Sequence, residues 1–112
     1  MNILILSCGT RNKLVRFFKE TFHARGGRVV VTDCSPWAPA LYEADAFYIV
    51  PPMREAGYLD EIGRICRKEK IDALIPLFED ELDLLAQNRE RFEAQGIRAK
   101  KTAFRRCLPV IL

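Results

Sequence analysis

The sequence predicts a Rossmann-like three-layer α/β domain with a mostly parallel sheet of about five strands. Two observations support this prediction. Short apolar runs alternate along the chain with stretches of helical periodicity. The apolar runs lack the strict apolar–polar alternation of a strand with one face in water. Strands that are apolar on both faces belong to parallel sheets covered by helices on both sides.

The first strand, helix and strand are predicted from residues 2–33. The run NILIL at residues 2–6 is typical of a buried strand. Leu14, Phe18 and Phe22 then recur at every fourth position, with Phe17 beside them, and predict a helix. That helix should end at Gly26-Gly27, because glycine adopts the left-handed conformation that ends helices. The β-branched run RVVVTD at residues 28–33 predicts the second strand.

The middle of the chain predicts an irregular stretch, a strand and a helix. Two prolines in CSPWAPALYEAD, residues 34–45, argue against a regular helix there. The run AFYIV at residues 46–50 predicts the third strand, which Pro51-Pro52 terminates. One apolar helical face follows; its members are Tyr58, Leu59, Ile62, Ile65 and Cys66.

A fourth strand and a third helix complete the pattern. The strand is predicted at residues 72–77, DALIPL. The helix begins with Glu79, Asp80 and Glu81, where the helix dipole favours anions, and stops at Gly96. Leu82, Leu85 and Phe92 are expected to face inward. A short fifth strand is expected from Ile97, so that the order is β-α-β-(loop)-β-α-β-α-β.

Composition limits the class of protein. The 112 residues suffice for one domain, and 49% hydrophobic with 29% charged residues is typical of a globular chain. The chain starts without a signal-peptide pattern, so a cytoplasmic location is expected, with no membrane partner. Four cysteines without a C-x-x-C pair predict reduced thiols. Five of the 18 basic residues lie in the last 15 positions and residues 1–97 carry net −2, which argues against a nucleic-acid partner.

The loop SCGTRN after the first strand is the principal candidate for a ligand site. Ligands of such sheets bind at the carboxyl ends of the strands, here residues 7–12, 33–35, 51–54 and 78–81. A dinucleotide loop needs G-x-G-x-x-G, and only Gly9 is present, although Asp33 stands where a ribose-binding acid would. No Walker loop occurs. Arg11 and Asn12 beside a helix N-terminus suit a carboxylate or phosphate, and the plain alternative is that Gly9 only makes the turn.

Other candidate groups have ordinary structural explanations. The acidic run Glu79-Asp80-Glu81 could bind a metal, but helix capping explains it equally well, so no metal ligand is assigned. A cysteine–histidine pair is not expected, because the chain has a single histidine, His23. No catalytic residue is assigned either.

Three segments together resemble a known family. They are MNILILSCGTRNKLVRFFKE, TDCSPWAPALYEADAFYIVP and KIDALIPLFEDELDLLAQNRERFEAQGI. In order and spacing, over residues 1–98, they resemble the N-terminal (pre-ATP-grasp) domain of ATP-grasp ligases of the carbamoyl-phosphate-synthase large-subunit-like type. The resemblance implies a Rossmann-like domain on the substrate side of a cleft. It also implies a following ATP-grasp module as partner, which uses ATP and magnesium to activate a carboxylate for attack by an amine.

The resemblance also implies which residues contact a small anionic substrate. The matching positions are Ser7, Gly9, Arg11, Asn12, Asp33, Ser35, Glu79 and Glu81. The family's position at Glu79 is expected to be aspartate more often. No ATP-grasp module fits after Arg98, so the chain alone is expected to be inactive and to bind neither ATP nor magnesium strongly.

The last residues depart from the family. The segment AKKTAFRRCLPVIL, residues 99–112, has no helical or strand period, and is expected to be a truncated or frame-shifted end, or a segment that covers an edge or pairs with another chain. Its apolar end favours a homo-oligomer. Two other functions remain open at this point: a stand-alone small-anion or regulatory binding module, and a truncated NAD(P)-binding domain.

Overall fold

The structure, a computed structural model, describes residues 1–97. Four strands alternate with helices, as the periodicity predicts. The elements are β1 (Ile3–Leu6), α1 (Asn12–His23), β2 (Val29–Asp33), a 3-10 helix (Pro39–Glu43), β3 (Ala46–Ile49), α2 (Tyr58–Glu69), β4 (Ala73–Pro76), α3 (Glu79–Gln87) and α4 (Arg89–Glu93). The predicted fifth strand beyond Ile97 and the segment 99–112 lie outside the described residues.

The four strands form one parallel sheet in the order β3-β2-β1-β4. In register, Ile3 of β1 lies between Val29 of β2 and Ala73 of β4. The chain moves from β1 to β2 and β3 in one direction and then returns to place β4 on the other side of β1. The order therefore reverses between β1 and β4, and in such sheets a crevice opens at the carboxyl ends of these two strands.

Helices cover both faces of the sheet, which confirms the three-layer prediction. Leu4, Leu6 and Val30 face α2, α3 and α4, where they pack against Tyr58, Ile62, Leu85 and Phe92. The alternate residues Ile3, Ile5, Val29 and Val31 face α1 and the 3-10 helix, where they pack against Val15, Phe18 and Leu41. Successive strand residues point to opposite faces, so the uninterrupted apolar strands β1, β2 and β4 fill two cores. In β3, by contrast, Phe47 and Ile49 are exposed.

The helix predicted after β4 is broken into two. Gln87 ends α3, and Asn88 has backbone angles of φ −116° and ψ 20°. The Asn88 side-chain amide donates to the carbonyl of Leu84 over 2.9 Å, a local bond by which asparagine competes with helical pairing. The bend leaves Leu85 and Phe92 buried in one core. The irregular stretch before β3 contains the short 3-10 helix, in keeping with the absence of an α-helix there.

His23 and Asp45 join α1 to the start of β3. Nε2 of His23 lies 2.8 Å from the Asp45 carboxylate, which also accepts the N–H of Val29 at 2.8 Å. Burial alone would raise the pKa of Asp45, but these two hydrogen bonds outweigh it and hold the pKa below the usual value of 3.8. Asp45 therefore stabilises the fold above pH 3.8, and this contribution is lost as the pH falls through the lowered folded-state pKa.

Asp45→Asn is expected to lower the free energy of unfolding by about 1 kcal/mol at pH 7, because asparagine keeps an acceptor for Val29 but loses the charge. Urea unfolding of both proteins between pH 7 and pH 2 measures the difference, which should shrink below pH 3.8. Asp83→Asn, at an exposed position, is the control. A difference that stays constant over this range would contradict the assignment.

Within residues 1–97, no helix is long and apolar enough to cross a membrane.

Candidate functional site

The loop between β1 and α1 makes its tight turn with two left-handed residues. Ser7 has φ 53° and Gly9 has φ 50°. The N–H of Cys8 donates to the Thr32 carbonyl over 3.1 Å, and the N–H of Arg11 donates to the Cys8 carbonyl over 2.9 Å. Serine at a positive φ is uncommon and strained, so the surrounding contacts must hold Ser7 in place.

Asp33, at the end of β2, accepts hydrogen bonds from the backbone of both strand-end loops. One oxygen of its carboxylate accepts the N–H of Gly9 at 2.8 Å, and the other accepts the N–H of Ser35 at 3.0 Å. Hydrogen bonds from backbone N–H groups to an ionised carboxylate are among the stronger ones in proteins. The structure thus brings Gly9, Asp33 and Ser35 together, and uses them to fix two loops to each other.

Ser35 continues this bonding towards the 3-10 helix. Its hydroxyl oxygen accepts the N–H of Trp37 at 3.2 Å. The N–H of Ala40 donates to the Gly9 carbonyl over 3.1 Å. The loop after β1 and the loop after β2 therefore form one hydrogen-bonded unit at the carboxyl end of the sheet.

Glu81 closes the crevice between β1 and β4. Its side chain is only 1% exposed, and Oε2 accepts the hydroxyl of Ser7 at 2.8 Å and the hydroxyl of Tyr58 at 2.7 Å. Oε1 is buried and has no partner among residues 1–97. Ser7 follows β1 and Glu81 lies in the first turn of α3 after β4, so their hydrogen bond spans the point where the strand order reverses.

Burial is the main influence on the ionisation of the Glu81 carboxylate. It raises the pKa of Glu81, and the negative charge of Asp33 adds to the rise, while the Tyr58 and Ser7 hydroxyls oppose it. Burial, followed by the charge and hydrogen bond of Glu81, likewise raises the pKa of Tyr58 well above its usual range. Tyr58 is thus a neutral donor at physiological pH.

Arg11, Asn12 and Glu79 lie apart from these bonds. Arg11 and Glu79 are exposed, Asn12 is half-buried, and their side chains make no hydrogen bond or ion pair with residues 1–97. Arg11 is also the residue that precedes the first turn of α1, which lacks a side-chain cap. Of the eight predicted residues, the structure brings Ser7, Gly9, Asp33, Ser35 and Glu81 into the bonded loops and leaves these three on the surface.

Cys8, in the loop after β1, is buried and its thiol is held in the protonated form. Cys8 is fully buried, and burial together with the charge of Asp33 raises the pKa of its thiol to about 12. The nucleophilic form of cysteine is the thiolate, which is therefore scarce at neutral pH. Cys8, Cys34 and Cys66 form no disulfide with one another; Cys107 lies outside the described residues.

A cavity of about 400 Å³ opens beside Tyr58, between the loop after β3 and the helices α3 and α4. Met53, Arg54, Tyr58, Leu84 and Arg91 are among the residues that line it. The Arg91 guanidinium is paired with the Asp60 carboxylate. Arg54, by contrast, makes no ion pair with residues 1–97. Because Tyr58 forms a wall of this cavity and also bonds Glu81, the cavity adjoins the closed crevice.

Sequence reasoning missed the roles of Tyr58 and of the buried Glu81. Tyr58 was predicted only as part of an apolar helical face, and Glu81 carried no prediction of burial. Helical spacing was the available signal. Glu81 precedes the buried Leu85 by four residues, and Tyr58 precedes the buried Ile62 by four, so each shares a face with a core residue.

The bonded loops do not fit the phosphates of ATP. A phosphate at Gly9 would have to displace the Asp33 carboxylate or lie against its negative charge. No cluster of three His, Cys, Asp or Glu side chains suited to a metal ion occurs among residues 1–97.

The sequence was compared with models of known protein families and with curated proteins. The model of the PylC-like, N-terminal domain matches residues 3–99. No curated protein shows a significant match to the chain. The match covers most of the chain and includes both loops and the closed crevice. The chain belongs to the PylC-like N-terminal domain family, the pre-ATP-grasp domain of ATP-grasp ligases.

Proposed function

We propose that the chain forms the substrate side of the cleft in a carbamoyl-phosphate-synthase-like carboxylate–amine ligase, and that it does not bind the nucleotide or catalyse a reaction alone. The observation that carries the proposal is the bond from the Gly9 N–H to the Asp33 carboxylate. It places a negative charge where the loop of a nucleotide-binding domain presents free N–H groups to phosphate.

The closed crevice supports the same proposal. In doubly wound sheets, ligands enter the crevice where the strand order reverses. Here Ser7, Tyr58 and Glu81 fill it with their own hydrogen bonds. A ligand would have to break these bonds and would leave a buried carboxylate without donors, which is costly. This chain therefore contributes to a cleft through its outer surface and not through the crevice.

The surface left for a substrate lies around the strand ends. Arg11 and Asn12 at the start of α1 supply a cation and an amide for a small anionic substrate, and Glu79 is exposed at the first position of α3. Ser7, Gly9, Asp33, Ser35 and Glu81 position these loops through their mutual bonds. The partner that covers them is the ATP-grasp module, which would supply ATP, magnesium and the activation of a carboxylate as an acyl phosphate.

Calorimetric titration of the 112-residue chain with ATP and excess Mg²⁺ tests the proposal. We expect no saturable heat up to 1 mM ATP and no release of phosphate. Titration with NAD under the same conditions serves as a comparison for the dinucleotide hypothesis. Saturable ATP binding that is lost in Asp33→Asn or Ser7→Ala would show that these loops hold the nucleotide, and would contradict the proposal.

A stand-alone anion-binding module is the second candidate, and the exposed Arg11 beside the uncapped start of α1 favours it. On this hypothesis the chain by itself binds inorganic phosphate or a small carboxylate, and Arg11→Ala abolishes the binding. Arg25→Ala, an exposed arginine after α1, is the matched control. Binding that is unchanged in Arg11→Ala removes this candidate.

A further inference from the structure

An apolar surface lies along the β3 edge of the sheet, far in the strand order from β4. Four side chains form this edge patch: Trp37, Tyr42, Phe47 and Ile49, which are 88%, 65%, 42% and 45% exposed. Tyr42 and Phe47 stack edge to face with ring centres 5.1 Å apart. The Tyr42 hydroxyl donates to the Pro36 carbonyl over 2.9 Å, and Trp37 is the next residue along the chain.

The edge of β3 is protected against pairing by its shortness, with four residues, but by no charge or proline within the strand. β3 pairs only with β2 among residues 1–97, so the backbone groups on its outer side have no strand partner there. Exposed edges are normally protected by a charged side chain, a proline or a bulge within the strand. The four residues of β3, AFYI, contain no charge and no proline.

We propose that this edge pairs with the β3 edge of a second copy of the chain, antiparallel and around a two-fold axis. A two-fold interface uses the same patch on both copies, and an uncharged strand bearing Phe47 and Ile49 is complementary to itself. In the pair, each Phe47 and Ile49 becomes a cross-strand neighbour of the same residues of the other copy. The inference goes beyond the proposed ligase function and does not depend on it.

The area of the edge patch is of the size that such a pair requires. A buried aromatic side chain contributes about 150–250 Å². At the observed exposures, the four side chains offer at most about 500 Å² from each copy, or about 1,000 Å² in a symmetric pair that covers all of it, the lower limit of a specific interface. Backbone hydrogen bonds between the two strands add to this. We therefore expect a weak dimer, with a dissociation constant on the order of 10–100 μM.

Sedimentation velocity of the 112-residue chain from 5 to 500 μM tests the proposal. The mass should rise from 12.9 kDa towards twice that value. Phe47→Lys should weaken association at least tenfold, because a lysine on an edge strand opposes pairing. Phe78→Lys replaces an aromatic residue of similar exposure, 51%, away from the edge, and should associate like the wild type. Circular dichroism checks that both variants fold.

Amide hydrogen exchange of the unmodified chain gives a second readout that needs no variant. The amides of residues 46–49 on the outer edge should exchange more slowly at 500 μM than at 5 μM, while those of β4 do not change. A wild-type chain that stays monomeric at 500 μM overturns the proposal. An equal loss of association in the two lysine variants, or protection at β4 and not at β3, also overturns it.

Discussion

Asp33→Ala is expected to lower the free energy of unfolding by about 3 kcal/mol. The Asp33 carboxylate accepts the N–H groups of Gly9 and Ser35, and each such bond to a charged group contributes about 1.5–3 kcal/mol. The two contributions overlap, since both fix the same pair of loops. Urea unfolding at pH 7 measures the loss. Asp83→Ala removes an exposed carboxylate that makes no hydrogen bond to residues 1–97, and should change the stability by less than about 0.5 kcal/mol.

Asp33→Ala is also expected to change the affinity of the loop after β1 for phosphate. With the carboxylate gone, the Gly9 N–H faces outward beside the start of α1 and the charge of Arg11, so the loop should acquire affinity for inorganic phosphate. A phosphate titration followed by ¹⁵N–¹H spectra should shift the Gly9 amide in Asp33→Ala and leave it unshifted in the wild type. Equal phosphate shifts in both proteins would show that Asp33 does not block the loop.

The four strands could be predicted from the sequence to within one or two residues, whereas α1 ends at His23, three residues before the predicted stop at Gly26. Parallel strands buried on both faces give apolar runs such as Val29–Asp33, and helices with one buried face repeat at three to four residues, so both signals are local. The break at Asn88 was not predicted. Leu85 and Phe92 lie seven residues apart, which is two turns of one continuous helix, so their spacing does not show the interruption.

The candidate site was only partly accessible to the same reasoning. The alternation of strands and helices predicts that β1 and β2 are neighbours in the sheet. The proximity of Gly9 to Asp33 could therefore be predicted. Whether a carboxylate blocks a loop or binds a ribose depends on where its oxygens point, which no spacing specifies. The burial of Glu81 could not be predicted from the acidic run alone. Glu79 and Asp80 in the same turn are exposed, as acidic residues at a helix start usually are.

Substitutions of Glu81 are expected to change the free energy of unfolding strongly. Two of them separate the hydrogen bonds that the side chain accepts from its charge. Glu81→Ala is expected to lower the free energy of unfolding by about 3 kcal/mol at pH 7. It leaves the hydroxyls of Ser7 and Tyr58 without their acceptor in a buried crevice, at a cost of about 1–3 kcal/mol for each unsatisfied group. The substitution also removes a carboxylate that is costly to bury, and this offsets part of the loss. Glu79→Ala, two residues away and exposed, is the matched control.

Glu81→Gln keeps an acceptor for both hydroxyls and removes the ionisation, so its effect should depend on pH. Burial raises the folded-state pKa of Glu81 above its usual value of 4.5, so the folded protein binds the proton more tightly than the unfolded chain. The contribution of Glu81 to stability is then greatest below pH 4.5 and is lost as the pH rises from there through the folded-state pKa. We expect the two proteins to be equally stable near pH 4 and the glutamine variant to be the more stable at pH 8. Urea unfolding at both values measures this. A stability difference that is the same at pH 4 and pH 8 would mean that Glu81 ionises as freely in the fold as in the unfolded chain, and that the Ser7 and Tyr58 hydroxyls fully compensate its burial.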